Sequence, residues 1–142
     1  MKTLLWLDDA RDPNENGWAQ MFSPIPEPYT VVWVKNYQEF VNWIIANGLP
    51  DGICFDHDLG LDEVYEKKTM SKGELRRFRK TPKYKTGYDC AKWLTEYCLI
   101  TLQQLPKYAS QSANPVGMEN ILKLLNNFKY HQDFYSDDSQ EN

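Results

Sequence analysis

Short apolar runs alternate along this chain with segments in which apolar side chains recur every three or four residues. The runs are typical of strands buried in a sheet, and they cover residues 2–7, 30–35, 51–58 and 107–110. Helical spacing predicts helices over residues 37–49 and 86–105, and we expect two further helices over 18–22 and 114–128. Strands that alternate with helices pair in parallel, so the pattern predicts an α/β protein with a parallel sheet of about four strands and helices on its faces.

Two of the predicted helices have apolar residues at helical spacing. On the helix at 37–49 these residues are Tyr37, Phe40, Val41, Ile44 and Ile45. On the helix at 86–105 one face carries Tyr88, Ala91, Leu94, Thr95, Cys98 and Leu102. The pair Asn114-Pro115 is typical of an N-cap and a first helical position, so we expect the last helix to begin there.

The segment 61–85 interrupts the alternation between the third strand and the helix that follows it. Nine of the sixteen Lys and Arg residues lie in it: Lys67, Lys68, Lys72, Arg76, Arg77, Arg79, Lys80, Lys83 and Lys85. We interpret the segment as a basic insertion with a helix around 72–80. It either forms a solvated surface or folds over the site and contacts a phosphate, a nucleic acid or a protein. One domain over 1–130 and an acidic flexible tail over 131–142 complete the predicted organisation.

Composition and charge exclude several classes of protein. The chain has 142 residues, of which 42% are apolar, and this is enough for one domain with its own core. A formal net charge of −4 argues against a protein held to nucleic acid by overall charge. Three cysteines without a CxxC pair favour a reducing compartment over a disulfide framework or zinc site. The apolar runs are too short to cross a bilayer and no signal segment is visible, so we expect a cytoplasmic protein.

Polar side chains follow three of the predicted strands at the point where each strand ends. Asp8 and Asp9 follow the first strand, the triplet 56–58 ends the third, and the polar segment 110–114 ends the fourth. Ligands of open parallel sheets bind beyond the carboxyl ends of the strands. We therefore expect these three groups to converge at one edge of the sheet.

The carboxylates of Asp8, Asp9 and Asp56 are candidates for a metal site. Carboxylates held close together repel one another, and a bound divalent cation removes this repulsion. Hard oxygen ligands suit Mg²⁺ or Mn²⁺. The alternative is structural, with the carboxylates capping loops or pairing with Arg11.

Two further groups near these strand ends are candidates for chemistry. His57 can act as a general acid or base near neutral pH, or it can be a hydrogen-bonded structural residue. Ser112 and Asn114, with the backbone amides of Val116 and Gly117, open the last helix. A helix N-terminus attracts anions, so these groups either bind a phosphate or cap the helix.

Four motifs carry a resemblance to a known family: "LWLDDARDP", "FDHDLG", "TGYDCAKWL" and "SANPVGMENI". Together they resemble the cyclic-phosphate-processing receiver domains of bacteria and phages, relatives of two-component receivers. The resemblance implies a three-layer, flavodoxin-like or receiver-like fold. It also implies a role in processing or binding cyclic phosphates of nucleotides or RNA ends. The positions that the motifs carry over are Asp8, Asp9, Arg11, Asp56, His57, Asp58, Ser112 and Asn114.

The first of three functional hypotheses is a metal-assisted phosphoesterase of the bacterial cell or the phage-infected host. Mg²⁺ or Mn²⁺ on the three aspartates polarises a cyclic phosphate and activates water. The catalytic residues are Asp56, His57 and Asp58. The phosphate ligands are Arg11, Ser112 and Asn114.

Two departures from the family pattern motivate the other hypotheses. The family has a His just before the Ser of the last motif, where this chain has Gln111. A non-catalytic module that binds a nucleotide or a protein partner is therefore the second hypothesis. The third is a phosphoacceptor receiver with Asp56 as the acceptor. It ranks last because no fifth strand with a terminal Lys is evident after Phe128.

Overall fold

The computed structural model describes residues 1–59, 71–79 and 84–140 of the chain. The strands are β1 (Lys2–Leu7), β2 (Tyr29–Val34), β3 (Gly52–Phe55) and β4 (Lys107–Ser110). The helices are α1 (Trp18–Phe22), α2 (Tyr37–Asn47), α3 (Lys72–Arg79), α4 (Gly87–Thr101) and α5 (Pro115–Gln140).

The four strands form one parallel sheet in the order β2-β1-β3-β4. Leu7 lies opposite both Val34 and Phe55, and Phe55 lies opposite Ser110. All four strands therefore end at the same level. The predicted α/β class and the four-stranded parallel sheet are confirmed.

Alternating side chains of the strands build two separate cores, because successive residues of a strand point to opposite faces of a sheet. On one face, Leu5 and Phe55 pack in a cluster with apolar residues of α2, α4 and α5. On the other face, Trp6 and Cys54 pack against α1 and the Ile25 side chain. The molecule thus has the three layers that the resemblance implied, with the sheet in the middle.

The helices begin where short polar side chains satisfy exposed backbone amides. Asn36 caps α2 by accepting a hydrogen bond from the Glu39 amide at 2.8 Å. Thr86 and Asp89 form a reciprocal capping box at the start of α4. Asn114 caps α5 as predicted, because its Oδ1 accepts from the Gly117 amide at 2.9 Å.

Three of the apolar residues with helical spacing are exposed in the structure. Ile45, Tyr88 and Leu102 are 63%, 36% and 91% exposed. Ile45 lies one residue beyond the buried side of α2, and Tyr88 lies in the first turn of α4. Leu102 follows the last residue of α4 with a left-handed backbone, φ 56°, and its side chain faces solvent. The predicted third strand was also too long, because pairing ends at Phe55.

The last helix is longer than the sequence predicted, because α5 continues to Gln140, beyond the predicted end at residue 128. The domain boundary at residue 130 and the acidic flexible tail over 131–142 stay predictions. The helix expected around 72–80 is present as α3. The rest of the basic insertion, at 61–70 and 80–83, lies outside the described residues. The expectation that this insertion folds over the site therefore stays a prediction.

Two expectations drawn from composition concern the cysteines and a membrane span. Cys54, Cys90 and Cys98 are free and buried. In the described parts of the chain, none of the helices is both long and apolar enough to cross a membrane.

Substitution of Leu5 tests the packing of the sheet. Leu5 is fully buried, whereas Leu99 on α4 is 64% exposed. We expect Leu5→Ala to lower the free energy of unfolding by about 2–5 kcal/mol, through lost burial and a residual cavity. Leu99→Ala should change it by less than about 0.5 kcal/mol. Urea denaturation measures both, and equal effects would contradict the assignment of the core.

Candidate active site

Three backbone hydrogen bonds extend the sheet by one residue beyond the ends of its strands. The amide of Asp8 donates to the Val34 carbonyl at 3.0 Å, and the amide of Asp56 donates to the Leu7 carbonyl at 3.0 Å. The amide of Gln111 donates to the Phe55 carbonyl at 3.1 Å. Asp8, Asp56 and Gln111 therefore stand side by side in one row across the carboxyl edge of the sheet.

Asp9 joins this row to form a cluster of three carboxylates. Asp8, Asp9 and Asp56 each offer an oxygen atom, and these three atoms lie within 4.8 Å of one another. Asp8 and Asp56 are 1% and 8% exposed, whereas Asp9 is exposed. The structure thus brings together the three aspartates that the sequence singled out as metal ligands.

Asp8 also has a structural role. Its Oδ1 accepts hydrogen bonds from the amides of Ala10 and Arg11 at 3.0 and 2.9 Å, so one oxygen caps the loop after β1. The indole of Trp33 donates to the Asp8 carbonyl at 2.7 Å, and the indole of Trp6 donates to the Arg11 carbonyl at 3.0 Å. The capping alternative is therefore correct for one oxygen of Asp8, and the loop is held from both sides.

Arg11 does not neutralise the carboxylates. Its guanidinium donates through Nη1 to the Gln111 carbonyl and lies 5.7 Å from the centre of the Trp18 ring. Within the described ranges it makes no ion pair with Asp8, Asp9 or Asp56. The alternative in which Arg11 pairs with the aspartates is therefore not supported, and its remaining N–H groups stay available.

Among the described residues, no cationic side chain pairs with the carboxylates of the cluster. Burial, followed by the charges of Asp8 and Asp9, raises the pKa of Asp56 from 3.8 to about 7. A hydrogen bond between Asp56 and the Ser112 side chain partly opposes this rise. A divalent cation favours the ionised form, so the cluster suits a hard metal ion.

A chain of polar contacts orients the side chain of His57, which directly follows Asp56 in the sequence. Its Nδ1 lies 2.9 Å from Asp58 Oδ1. A carboxylate only accepts hydrogen bonds, so we assign the proton of this contact to Nδ1, which leaves the lone pair of the neutral ring on Nε2. Asn114 Nδ2 in turn donates to both Asp58 oxygens, at 3.4 and 3.2 Å. The N-cap of α5 therefore holds Asp58, and Asp58 holds the imidazole.

The start of α5 is largely occupied by its own contacts. The Asn114 side chain gives its oxygen to the Gly117 amide and its nitrogen to Asp58. The Met118 amide donates to the Asn114 carbonyl. Ser112 Oγ accepts from the Asn114 amide at 3.1 Å. Of the groups expected to bind an anion here, Ser112 keeps a hydroxyl near Asp56, whereas Asn114 and the Gly117 amide are already bonded.

Two glycines bring the helices against the site, and sequence reasoning missed their role. A Cβ on Gly87 would lie 1.8 Å from the Asp56 carbonyl oxygen, and the Gly87 amide donates to the His57 carbonyl at 2.8 Å. A Cβ on Gly117 would lie 2.3 Å from Cγ of His57. Both glycines stand in the first turn of a helix, where glycine is unfavourable, and this was the available signal.

The sequence matches a family of known protein domains. The family model described as the cyclic-phosphate processing receiver domain matches residues 3–127. The chain belongs to this family. No curated protein and no solved structure matches it. The recognition made from the four motifs and the receiver-like fold are thereby confirmed.

Gln111 is where this cyclic-phosphate processing receiver domain departs from the pattern that the resemblance implied. Its side chain is 3% exposed, and Nε2 donates to the Leu7 carbonyl at 2.9 Å and to Asp8 Oδ2 at 3.5 Å. Its Oε1 is buried and has no hydrogen-bond partner among the described residues. Gln111 therefore places a neutral amide, within reach of Asp8 Oδ2, where the family pattern has an ionisable ring. The carboxylate oxygens of the row fit Mg²⁺ or Mn²⁺.

Substitution of Asp56 tests whether ionisation of its carboxyl group destabilises this receiver domain when no metal is added. The unfolded chain ionises Asp56 above about pH 4, whereas the folded protein keeps the proton until near pH 7. Stability should therefore fall as the pH rises from 4 to 8. We expect a loss on the order of 1–2 kcal/mol, less than the full pKa shift implies, because Asp9 is exposed and solvent screens part of the repulsion.

Urea denaturation in EDTA at pH 5 and pH 8 measures this difference. In Asp56→Asn the pH dependence should be smaller than in the wild type. The matched control is Asp133→Asn, which changes an exposed aspartate on α5 and should keep the wild-type dependence. Identical pH profiles for wild type and Asp56→Asn would contradict the assignment.

Substitution of Gly117 tests how closely α5 confines the imidazole. In Gly117→Ala the new methyl group should displace the His57 ring and break its contact with Asp58. Because alanine favours the helix by about 1 kcal/mol, we expect the protein to stay folded. Proton NMR of the imidazole Cε1–H groups reports the change, with His131 as the internal reference.

Gly73→Ala on α3 is the matched control, since its new Cβ would have only Ser71 Oγ nearby, at 4.0 Å. This variant should leave the His57 resonance unchanged. An unchanged His57 resonance in Gly117→Ala would show that the helix does not confine the ring.

Proposed function

We propose that this protein is a metal-assisted phosphoesterase that opens the ring of a cyclic phosphate in a nucleotide or at an RNA end. One observation carries the proposal: three carboxylates that pair with no cation of the described residues lie together at the strand ends, and His57, oriented by Asp58, directly follows one of them in the chain. Membership of a family described by cyclic-phosphate processing supplies the substrate class. The buried free thiols favour a reducing cytoplasm, in a bacterium or a phage-infected host.

Asp8, Asp9 and Asp56 are the proposed ligands of Mg²⁺ or Mn²⁺. Asp8 contributes Oδ2, because its other oxygen caps the loop. A bound divalent cation polarises a phosphoryl oxygen and lowers the pKa of water. The raised pKa of Asp56 supports this assignment, since the carboxyl loses its proton most readily when a cation is present.

His57 moves the proton in the proposed reaction. A water oxygen forms a bond to phosphorus, one ester P–O bond of the ring breaks, and the product is a phosphomonoester with a free hydroxyl group. The proton that the water loses ends on the leaving oxygen, and His57 Nε2 carries it. Asp58 and Asn114 act by orienting His57 rather than by contacting the substrate.

Arg11 and Ser112 are the proposed ligands of the phosphate. The Arg11 guanidinium has donors beyond the one that binds the Gln111 carbonyl, and a guanidinium pairs well with phosphate oxygens. The Ser112 hydroxyl lies by Asp56 and offers a second donor. Basic side chains of the insertion are further candidates for contacts with a substrate.

Phosphorus NMR tests this function directly. The full-length protein is mixed with 2′,3′-cyclic or 3′,5′-cyclic AMP, in Mg²⁺, in Mn²⁺ or in EDTA. We expect a metal-dependent phosphomonoester resonance. His57→Ala should slow its appearance by roughly a hundredfold or more, since that is the usual contribution of a general acid or base. Asp56→Asn removes a proposed metal ligand and should abolish the metal-dependent resonance.

The chain offers matched controls for both variants. His131 and Asp133 are exposed residues of α5, so His131→Ala and Asp133→Asn should retain wild-type rates. Turnover that persists in EDTA, or that survives in His57→Ala, would overturn the proposed mechanism.

The second candidate is a module that binds a cyclic phosphate without turnover. Gln111 favours it, because a neutral amide occupies the place of a second proton-transferring ring. Calorimetry on the same samples separates the two candidates. Metal-dependent binding of the cyclic nucleotide with unchanged phosphorus resonances would establish the binding module.

A further inference from the structure

A groove opens beside the active site, between the first turn of α4 and helix α5. Its volume is about 580 Å³, which is within the range of pockets that hold small organic ligands. His57, which directly follows Asp56 at the end of β3 and contacts Asp58, also lines the groove. A ligand bound to phosphate-binding groups at the strand ends therefore has this groove next to it.

The lining of the groove contains two kinds of polar group. Thr86 and Asp89 are committed to the start of α4, because the Thr86 amide donates to Asp89 Oδ2 at 2.8 Å within the capping box. Asn120, Lys123 and Asn127 are three and four residues apart, so they share one face of α5. They are exposed, and within the described ranges their side chains form no hydrogen bond or ion pair. Their polar groups are therefore open to a ligand.

The chemistry of these groups selects a class of ligand. A side-chain amide presents a donor and an acceptor together, which matches the polar edge of a nucleobase. Tyr88 also lines the groove and is 36% exposed, so its ring offers a surface on which a base can stack. Leu124 adds an apolar contact, and Lys123 adds a cation. This combination suits a flat heteroaromatic ring with polar edges attached to a phosphate.

We propose that this groove binds the nucleoside of the substrate while the cyclic phosphate lies at the strand ends. The role of the phosphate rests on the proposed function. The groove adds that the protein recognises the base of this nucleotide and not only its cyclic phosphate. Asn120, Asn127 and Tyr88 are the recognition residues.

NMR of the nitrogen-15-labelled full-length protein tests the groove with three probes. Adenosine has a base without phosphate, ethylene phosphate has a cyclic phosphate without a base, and 2′,3′-cyclic AMP has both. Adenosine and 2′,3′-cyclic AMP should shift the side-chain amide resonances of Asn120 and Asn127. Ethylene phosphate should leave those resonances unchanged.

Matched variants measure the contribution of the groove. Asn120→Ala/Asn127→Ala should weaken the binding of 2′,3′-cyclic AMP about tenfold, as expected for one or two lost hydrogen bonds. Tyr88→Ala should weaken it by a similar factor through lost stacking. Asn126→Ala and Tyr130→Ala change the same residue types elsewhere on α5, at exposed positions outside the groove, and should bind like the wild type.

The outcomes separate the groove from the proposed function. If nucleotides shift the two amide resonances but are not hydrolysed, the proposal that the groove binds the nucleoside is supported and the proposed phosphoesterase function is refuted. If the double variant and the wild type hydrolyse cyclic nucleotides with the same KM, the phosphoesterase function is supported and the proposed role of the groove is refuted. Amide resonances that respond to none of the nucleoside probes would also overturn the groove.

Discussion

The positions of the candidate side chains in this receiver domain are set by where its parallel strands stop pairing. Leu7, Val34, Phe55 and Ser110 end their strands in register, and three further backbone bonds lock the next residues into a row. A slip of one residue in any strand would turn its terminal side chain to the other face of the sheet. The apolar register beneath the row, with Leu5 and Phe55 on one face and Trp6 and Cys54 on the other, therefore fixes where the charges lie.

This arrangement buries carboxylate groups, which is energetically unfavourable. Asp8 and Asp56 are nearly inaccessible to solvent, and no cationic side chain in the described part of the chain pairs with them. Burial of unpaired carboxylates is unfavourable, and the raised pKa of Asp56 expresses that cost. The indoles of Trp6 and Trp33 hold the loop by hydrogen bonds without supplying a charge. The fold thus keeps the negative charge in place.

The sequence could predict the fold and the main positions of the candidate site because both follow from local patterns. Apolar runs that stop at Asp8 and Asp56 predict strand ends, and parallel topology then brings those ends to one edge. The contacts of Asn114 with Asp58, and of Gly117 with His57, join residues more than fifty positions apart. No local pattern encodes such contacts, so the sequence alone did not separate a cap from a phosphate ligand.

The groove was missed for a related reason. Tyr88 fits the apolar spacing of α4, and the sequence therefore placed it on the face shared with Ala91 and Leu94. In the structure it stands in the first turn, where the helix has only begun to cover the sheet. Asn120 and Asn127 look like ordinary solvated positions of α5 until the neighbouring helix is placed beside them.

The contact of Gly117 with the imidazole has a consequence for how such a site decays during evolution. A histidine can persist in a sequence after its function is lost, since an isolated ring on a surface does little harm. A glycine in the first turn of a helix lowers helical stability, and selection for stability alone replaces it with alanine. Among relatives of this chain, the glycine facing the ring is therefore a more sensitive marker of a working site than the histidine itself.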